Sequence, residues 1–118
     1  REQLVQVLIN LLRNALDAVH ARPDPVVKVV IRERGDQEVE LEIRDNGPGI
    51  DEVLRARIFV PFFTTKENGS GIGLSLARQI VWRHDGQLGI AHTGPDGTTM
   101  NLRMPLYQSS PQLHKTSA

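Results

Sequence analysis

A chain of 118 residues that is 39% hydrophobic and 24% charged is long enough for one hydrophobic core and too ordinary in composition for a collagen, a disordered tail or a disulfide scaffold. Fourteen basic and fourteen acidic side chains cancel, so no global field draws the chain to nucleic acid or to an anionic membrane surface. The lack of cysteine removes disulfides and thiolate chemistry, the dispersed His20, His84, His92 and His114 form no metal-ligand pair at helical spacing, and no apolar run has the length of a bilayer span.

Leu4, Leu8, Leu11, Leu12, Ala15, Leu16 and Val19 recur at three- and four-residue steps. That spacing predicts a helix with one buried face, ended by Pro23 and Pro25. The pattern is already running at Arg1, without a Met or a cap, so the sequence reads as a piece of a longer protein. Within the helix, "NLLRNALDA" (residues 10–18) sets Asn10 and Asn14 four apart on one stripe, with Asp17 about a turn beyond. Asn is a poor helix former, and an indifferent wet face is better served by Glu or Lys. Two amide oxygens in register can instead offer hard ligands to Mg²⁺, which takes its remaining ligands from water and phosphate. A solvated face explains the pair equally well, so this motif alone leaves both open.

Residues 26–32 are rich in β-branched side chains and 38–44 alternate with Val39, Leu41 and Ile43 on one side; Gly35-Asp36 between them predicts an antiparallel hairpin whose apolar face needs cover. The second strand runs into "RDNGPGI" (44–50). Asp45 at a strand end can accept a hydrogen bond from an exocyclic amine such as that of adenine, and Gly47 and Gly49 let backbone come close to whatever lies above. A tight turn with an Asx bond accounts for Asn46-Gly47 but leaves Gly49 unused.

A short helix is predicted over 51–58, and a mobile loop over 61–71. In "NGSGIGLSLA" (68–77), Gly69, Gly71 and Gly73 precede a helix that runs from Ile72 through Leu76, Ile80 and Val81, with Gly86 placed to end it as a left-handed cap. A glycine-rich helix start offers N–H groups and a positive dipole end to phosphate, although the spacing matches neither the Walker nor the dinucleotide fingerprint. Thr64, Thr65 and Lys66 could add hydroxyls and a cation. Strands follow at 87–92 (Leu88, Ile90) and 98–104 (Met100, Leu102, Met104), joined by "TGPDG". Residues 1–105 thus form one domain, and 106–118 a polar, frayed tail. Amphipathic strands that need helices on one face only predict a two-layer α/β sandwich with a mixed, mostly antiparallel sheet.

Taken in order, "NLLRNALDA", "DNGPGI", "PFFTTK", "GSGIGLSLA" and "GTTMNLRMP" resemble the catalytic ATP-binding domain of bacterial sensor histidine kinases, whose Bergerat-type fold is shared with DNA gyrase, mismatch-repair and heat-shock-chaperone ATPases. The resemblance covers about Gln3 to Pro105, and "PFFTTK" is most similar to the nitrogen-regulation and dicarboxylate-sensing subgroup. It implies ATP held beneath a flexible lid. Asn10 and Asn14 would hold Mg²⁺, and Ala18 would lie near the nucleoside. Asp45 would receive the adenine amino group, with Gly47 and Gly49 admitting the base and Ile50 packing near it. Thr65 and Lys66 would meet the phosphates, and Gly69, Ser70, Gly71, Ile72, Gly73 and Leu74 would wrap them with backbone donors. Thr98 would touch adenine from the far strand.

The same resemblance implies transfer of the γ-phosphoryl group to a histidine on a separate dimerisation and histidine-phosphotransfer domain of the same protein, with a response regulator downstream. It also implies a cytoplasmic location, under a parent that segments outside this chain could anchor to a membrane. This piece would be monomeric and its parent a homodimer, with no nucleic acid partner and no direct membrane contact. In the ATPase branches a Glu stands where this chain has Asn10 and activates water, so hydrolysis should be feeble here. Many relatives carry a basic residue where this chain has Asp17, which leaves Lys66 more of the phosphate charge. None of the four histidines has the acceptor context, and His84-Asp85-Gly86 resembles the helix-ending box of the family. The expectation is therefore a domain that binds nucleotide without autophosphorylating. The alternatives are a hydrolysing ATPase of the same superfamily or a degenerate binding module.

Overall fold

The computed structural model describes residues 2–60 and 73–106. The expected lid at 61–71 lies outside them, as does the tail from 107 onward. The chain runs α1 (Glu2–Ala18), β1 (Val27–Arg34), β2 (Glu38–Asp45), α2 (Glu52–Arg55), α3 (Gly73–Arg83), β3 (Gln87–Gly94) and β4 (Gly97–Pro105). The sheet order is β1-β2-β4-β3, with every neighbouring pair antiparallel. The mixed, mostly antiparallel sheet expected from sequence is antiparallel at every pairing among the described residues.

One face of the sheet meets α1 and α3, which makes the molecule a two-layer α/β sandwich. Val7, Leu11 and Ala15 form the buried stripe of α1, and Ala77, Ile80 and Val81 that of α3; they close on Ile43, Leu88, Met100 and Leu102. The cover does not reach the edge. Val29 and Ile31 on β1 point to the same side as Ile43 and Leu41 across the ladder, yet are 47% and 64% exposed.

The other face of the sheet is a carpet of charge. Glu40 on β2 is only 5% exposed, covered by polar neighbours rather than by the core. Its carboxylate accepts from the Asn101 amide of β4 and from Arg34 of β1, with Arg32 also near. Those contacts hold its carboxyl below the ordinary value, the Asn101 bond foremost, against the opposing effect of desolvation.

Two boundaries differ from expectation. The helix expected over 51–58 is regular only at Glu52–Arg55, after which single turn bonds such as Arg57 N–H to the Leu54 carbonyl take over. The left-handed residue that stops α3 is Asp85 (φ 66°), not Gly86. The Asp85 and Gly86 N–H groups bond the carbonyls of Trp82 and Val81 at 3.0 and 2.9 Å, the pairing of a Schellman cap. Gly86 is needed for another reason: a Cβ there would lie 2.4 Å from the Arg103 carbonyl oxygen on β4. At the far end, Leu106 N–H still bonds the Gln37 carbonyl at 2.7 Å.

Candidate functional site

Asn10, Asn14 and Ala18 are half-buried along one stripe of α1, spanning about 12 Å at 1.5 Å per residue. At one end of the stripe the Asn10 amide donates to the carbonyl of Gly73, the first residue of α3, at 3.3 Å. At the other, Ala18 packs on the loop after β2, so closely that a Cβ on Gly47 would sit 2.7 Å from the Ala18 oxygen. The stripe therefore joins the start of the glycine-rich helix to the loop that carries Asp45. Four of the residues singled out from sequence meet through these two contacts, and Asn14 lies between them.

Asp45 closes β2, opposite Val27 on β1 and Thr98 on β4. Its Oδ1 accepts from two backbone donors, Gly47 N–H at 2.9 Å and Thr98 N–H at 3.3 Å. Both bonds use the same oxygen, so the carboxylate is oriented while neither contact engages Oδ2. Behind it, the hydroxyls of Thr98 and Thr93 are 2.8 Å apart, and Ile50 N–H donates to Thr93 Oγ1 at 2.8 Å. A chain of hydrogen bonds thus connects the Asp45 loop to both strands of the β3–β4 hairpin.

The glycines of this end have a structural reason apart from the expected one of admitting a base. Gly49 has φ 88°, and a Cβ there would lie 2.1 Å from the Gly94 carbonyl oxygen; Gly97 has φ 140°, with its Cβ position 1.8 Å from the Asp45 carbonyl oxygen. Space at these positions is taken first by neighbouring backbone. Gly73 is different, because its Cβ position is 3.7 Å from the nearest Asn10 atoms, an ordinary contact. Leu74 tucks its side chain against the core. Thr65, Lys66, Gly69, Ser70, Gly71 and Ile72 lie outside the described residues.

Three residues of this end carry no mark in the sequence pattern. Thr93 sits in a strand where Thr is unremarkable. Asn46 reads as a turn residue, but its side chain reaches the preceding segment, accepting from Val26 N–H and donating to the Asp24 carbonyl, both at 2.8 Å. Arg22 forks onto three carbonyls, those of Asn46 (2.7 Å), Gly47 (3.1 Å) and Pro95 (2.8 Å). Their backbone partners lie 20 or more residues away, which residue type alone does not record. A separate open hollow of about 710 Å³, lined by Glu40, Asn101, Gly89 and Trp82 among others, includes none of the predicted site residues.

Residues 1–108 match the family model described as "Histidine kinase-, DNA gyrase B-, and HSP90-like ATPase". Over 98% of its length the chain is 40% identical to the signal transduction histidine-protein kinase AtoS of Escherichia coli (strain K12), covering 18% of that protein. It is 40% identical to the C4-dicarboxylate transport sensor protein DctB of Rhizobium meliloti (strain 1021), over 88% of this chain and 16% of that one. Among solved structures, the catalytic domain of histidine kinase ThkA in a nucleotide-free form aligns with a TM-score of 0.77 at 34% identity, covering 89% of this chain and 67% of that one. Full-length ShkA in complex with AMPPNP aligns with a TM-score of 0.76 at 27% identity, over 87% of this chain and 21% of that one. The chain therefore spans under a fifth of the length of those two curated relatives. A two-layer sandwich with an acid-and-glycine loop facing a helical Asn stripe, matched along most of its length, belongs to the histidine kinase-, DNA gyrase B- and HSP90-like ATPase family, on the branch of the sensor histidine kinases.

Proposed function

We propose that this domain binds Mg-ATP along the α1 stripe and donates the γ-phosphoryl group to a histidine on a separate dimerisation domain of a two-component sensor kinase. The observation that carries the proposal is the Asp45 carboxylate, held through Oδ1 by two backbone N–H groups. Its other oxygen is left to accept from an adenine amino group. With the base at that end, the length of the stripe brings the phosphates to the start of α3, where helix N–H groups and the dipole favour negative charge. Thr98, Ile50 and Ala18 border the base; Thr65, Lys66, Gly69, Ser70, Gly71, Ile72, Gly73 and Leu74 complete the phosphate end in this proposal.

The donor set suits Mg²⁺. Asn10 spends an N–H on Gly73, which leaves its amide oxygen as a neutral hard ligand, and Asn14 supplies a second amide from the next turn. Among the described residues no group of three or more His, Asp or Glu could hold a metal ion, so the ion would be held jointly with nucleotide phosphates. When bound it neutralises phosphate charge. The chain's own part is to hold the base and the phosphates in a fixed relation, and positioning of this kind supplies most of the catalysis in phosphoryl transfer. A neutral imidazole attacks phosphorus without first losing a proton, so an acceptor histidine can use a site whose residue 10 is an amide rather than a basic carboxylate. The same substitution weighs against a hydrolysing ATPase.

Calorimetric titration with Mg-AMPPNP tests the binding step. Asp45→Asn and Asn14→Ala should each weaken binding by about tenfold or more, the value of a charge-assisted contact, with circular dichroism unchanged. Parental affinity in either variant would remove that residue from the site. Transfer is tested by mixing the domain with the parent protein's histidine-bearing domain and labelled ATP, where label should appear on histidine. Rapid phosphate release without the acceptor would instead favour the hydrolysing reading.

A further inference from the structure

Arg22 lies in the irregular segment between α1 and β1, half-buried, and no part of the proposed chemistry uses it. Its Nε donates to the Asn46 carbonyl at 2.7 Å, and its Nη2 donates both to the Gly47 carbonyl at 3.1 Å and to the Pro95 carbonyl at 2.8 Å. The first two carbonyls directly follow Asp45. The third belongs to the turn between β3 and β4, three residues before the Thr98 N–H that holds Asp45 Oδ1. One planar guanidinium thus fastens together the two pieces of backbone that grip the carboxylate. A fork of fixed geometry and permanent charge can hold three acceptors in this way, whereas a single ammonium cannot match the spacing.

We propose that Arg22 is a positioning residue for nucleobase selection, its guanidinium setting the separation between the Asn46-Gly47 loop and the Pro95 turn and so fixing the direction in which Asp45 presents its second oxygen to a purine amino group. The proposal rests on the reading of Asp45 as the acceptor of that amine. Arg22 itself touches no nucleotide. Loss of the fork frees the turn to move relative to the loop, and the angular tolerance of a hydrogen bond is narrow enough for that movement to register.

The test compares the affinity of the domain for ATP with that for purine riboside triphosphate, which lacks the 6-amino group, both with Mg²⁺ and both by calorimetry well below the thermal midpoint. The parent should prefer ATP by about tenfold or more. In Arg22→Gln that preference should fall at least about threefold while affinity for the desamino nucleotide changes by less than about twofold, since a misaimed acceptor penalises only the ligand with an amine to offer. Arg22→Lys should restore the midpoint more fully than it restores the preference. It also serves as the variant read in the same way should the Gln form fail to fold. With Asp45→Asn already present, removing Arg22 should change the ratio no further. A parental preference in Arg22→Gln, or equal loss of both affinities, would overturn the role of Arg22 while leaving Asp45 in place. A parent that does not distinguish the two nucleotides overturns the Asp45 reading and this proposal with it.

Discussion

The two ends of the α1 stripe are built differently. At the base end, Asp45, Thr98, Thr93, Ile50, Asn46 and Arg22 are linked by hydrogen bonds of 2.7 to 3.3 Å, and Gly47, Gly49 and Gly97 sit where a Cβ would strike backbone. At the other end the Asn10 amide meets Gly73 at 3.3 Å, and Gly73 is a glycine with ordinary room beside it. On the proposed function the difference follows from two tasks. Reading a flat base requires an acceptor fixed in direction, and a fixed acceptor requires a backbone fixed on several sides. Phosphates are held by many equivalent donors and by a cation that comes with them, so no single acceptor there has to be fixed in direction.

The comparison breaks most sharply at the glycines. Gly49→Ala places a Cβ 2.1 Å from the Gly94 oxygen at a positive φ, next to the Ile50–Thr93 bond that ties the loop to β3. A loss of about 3 kcal/mol or more is expected from overpacking plus strain, seen as a large fall in the denaturant midpoint. Gly73→Ala, at an ordinary contact distance, should leave stability within about 1 kcal/mol of the parent. Equal costs at the two positions would mean that the ends are alike.

Asn10→Ala comes next in size. It removes a 3.3 Å amide-to-carbonyl bond, for which about 1 kcal/mol of stability is the ordinary value. Its effect on Mg-AMPPNP affinity should exceed its effect on stability, because the amide oxygen is assigned to the cation. Binding of the nucleotide without Mg²⁺ should change less than binding with it; identical losses in both conditions would confine Asn10 to joining α1 and α3.

How much of this was legible in the sequence depends on where each partner lies. The hairpin over 26–44 was readable because alternation of Val39, Leu41 and Ile43 reports a local geometry, and the helix over 4–19 because its spacing does. Asp45 stands out as a candidate because a carboxylate before two nearby glycines at a strand end is more than a tight turn needs. The contacts that aim it were not. Arg22 bonds carbonyls at 46, 47 and 95, and every residue type supplies a carbonyl, so the sequence holds no record of the acceptors. The role of Gly86 was misassigned for a related reason: its effect as a helix stop is local and familiar, whereas its need for space depends on Arg103, brought near only by the sheet. The lengths of strands changed by a residue or two because ladder pairing, not composition, decides where they end.

The smallest expected effect tests whether the base end is held partly from behind. Glu40 lies on the open face of the sheet and binds the Asn101 amide, tying β2 to β4, the same pair of strands whose ends set Asp45 opposite Thr98. Arg32 and Arg34 reach it from β1, Glu42 and Arg44 neighbour it on β2, and Arg103 faces it from β4. Its carboxyl is held below the ordinary value of 4.5, first by the Asn101 bond and then by the arginines. A carboxyl depressed in the folded state contributes stability that is fully present above about 4.5 and is lost as pH falls through the lower folded value. Glu40→Gln should therefore flatten the decline of stability on the acid side of 4.5 while leaving the preference for ATP over purine riboside triphosphate at neutral pH unchanged. If that preference falls instead, the base end takes its alignment from the strand pairing behind it as well as from the Arg22 fork, and the unit that fixes Asp45 extends through the sheet.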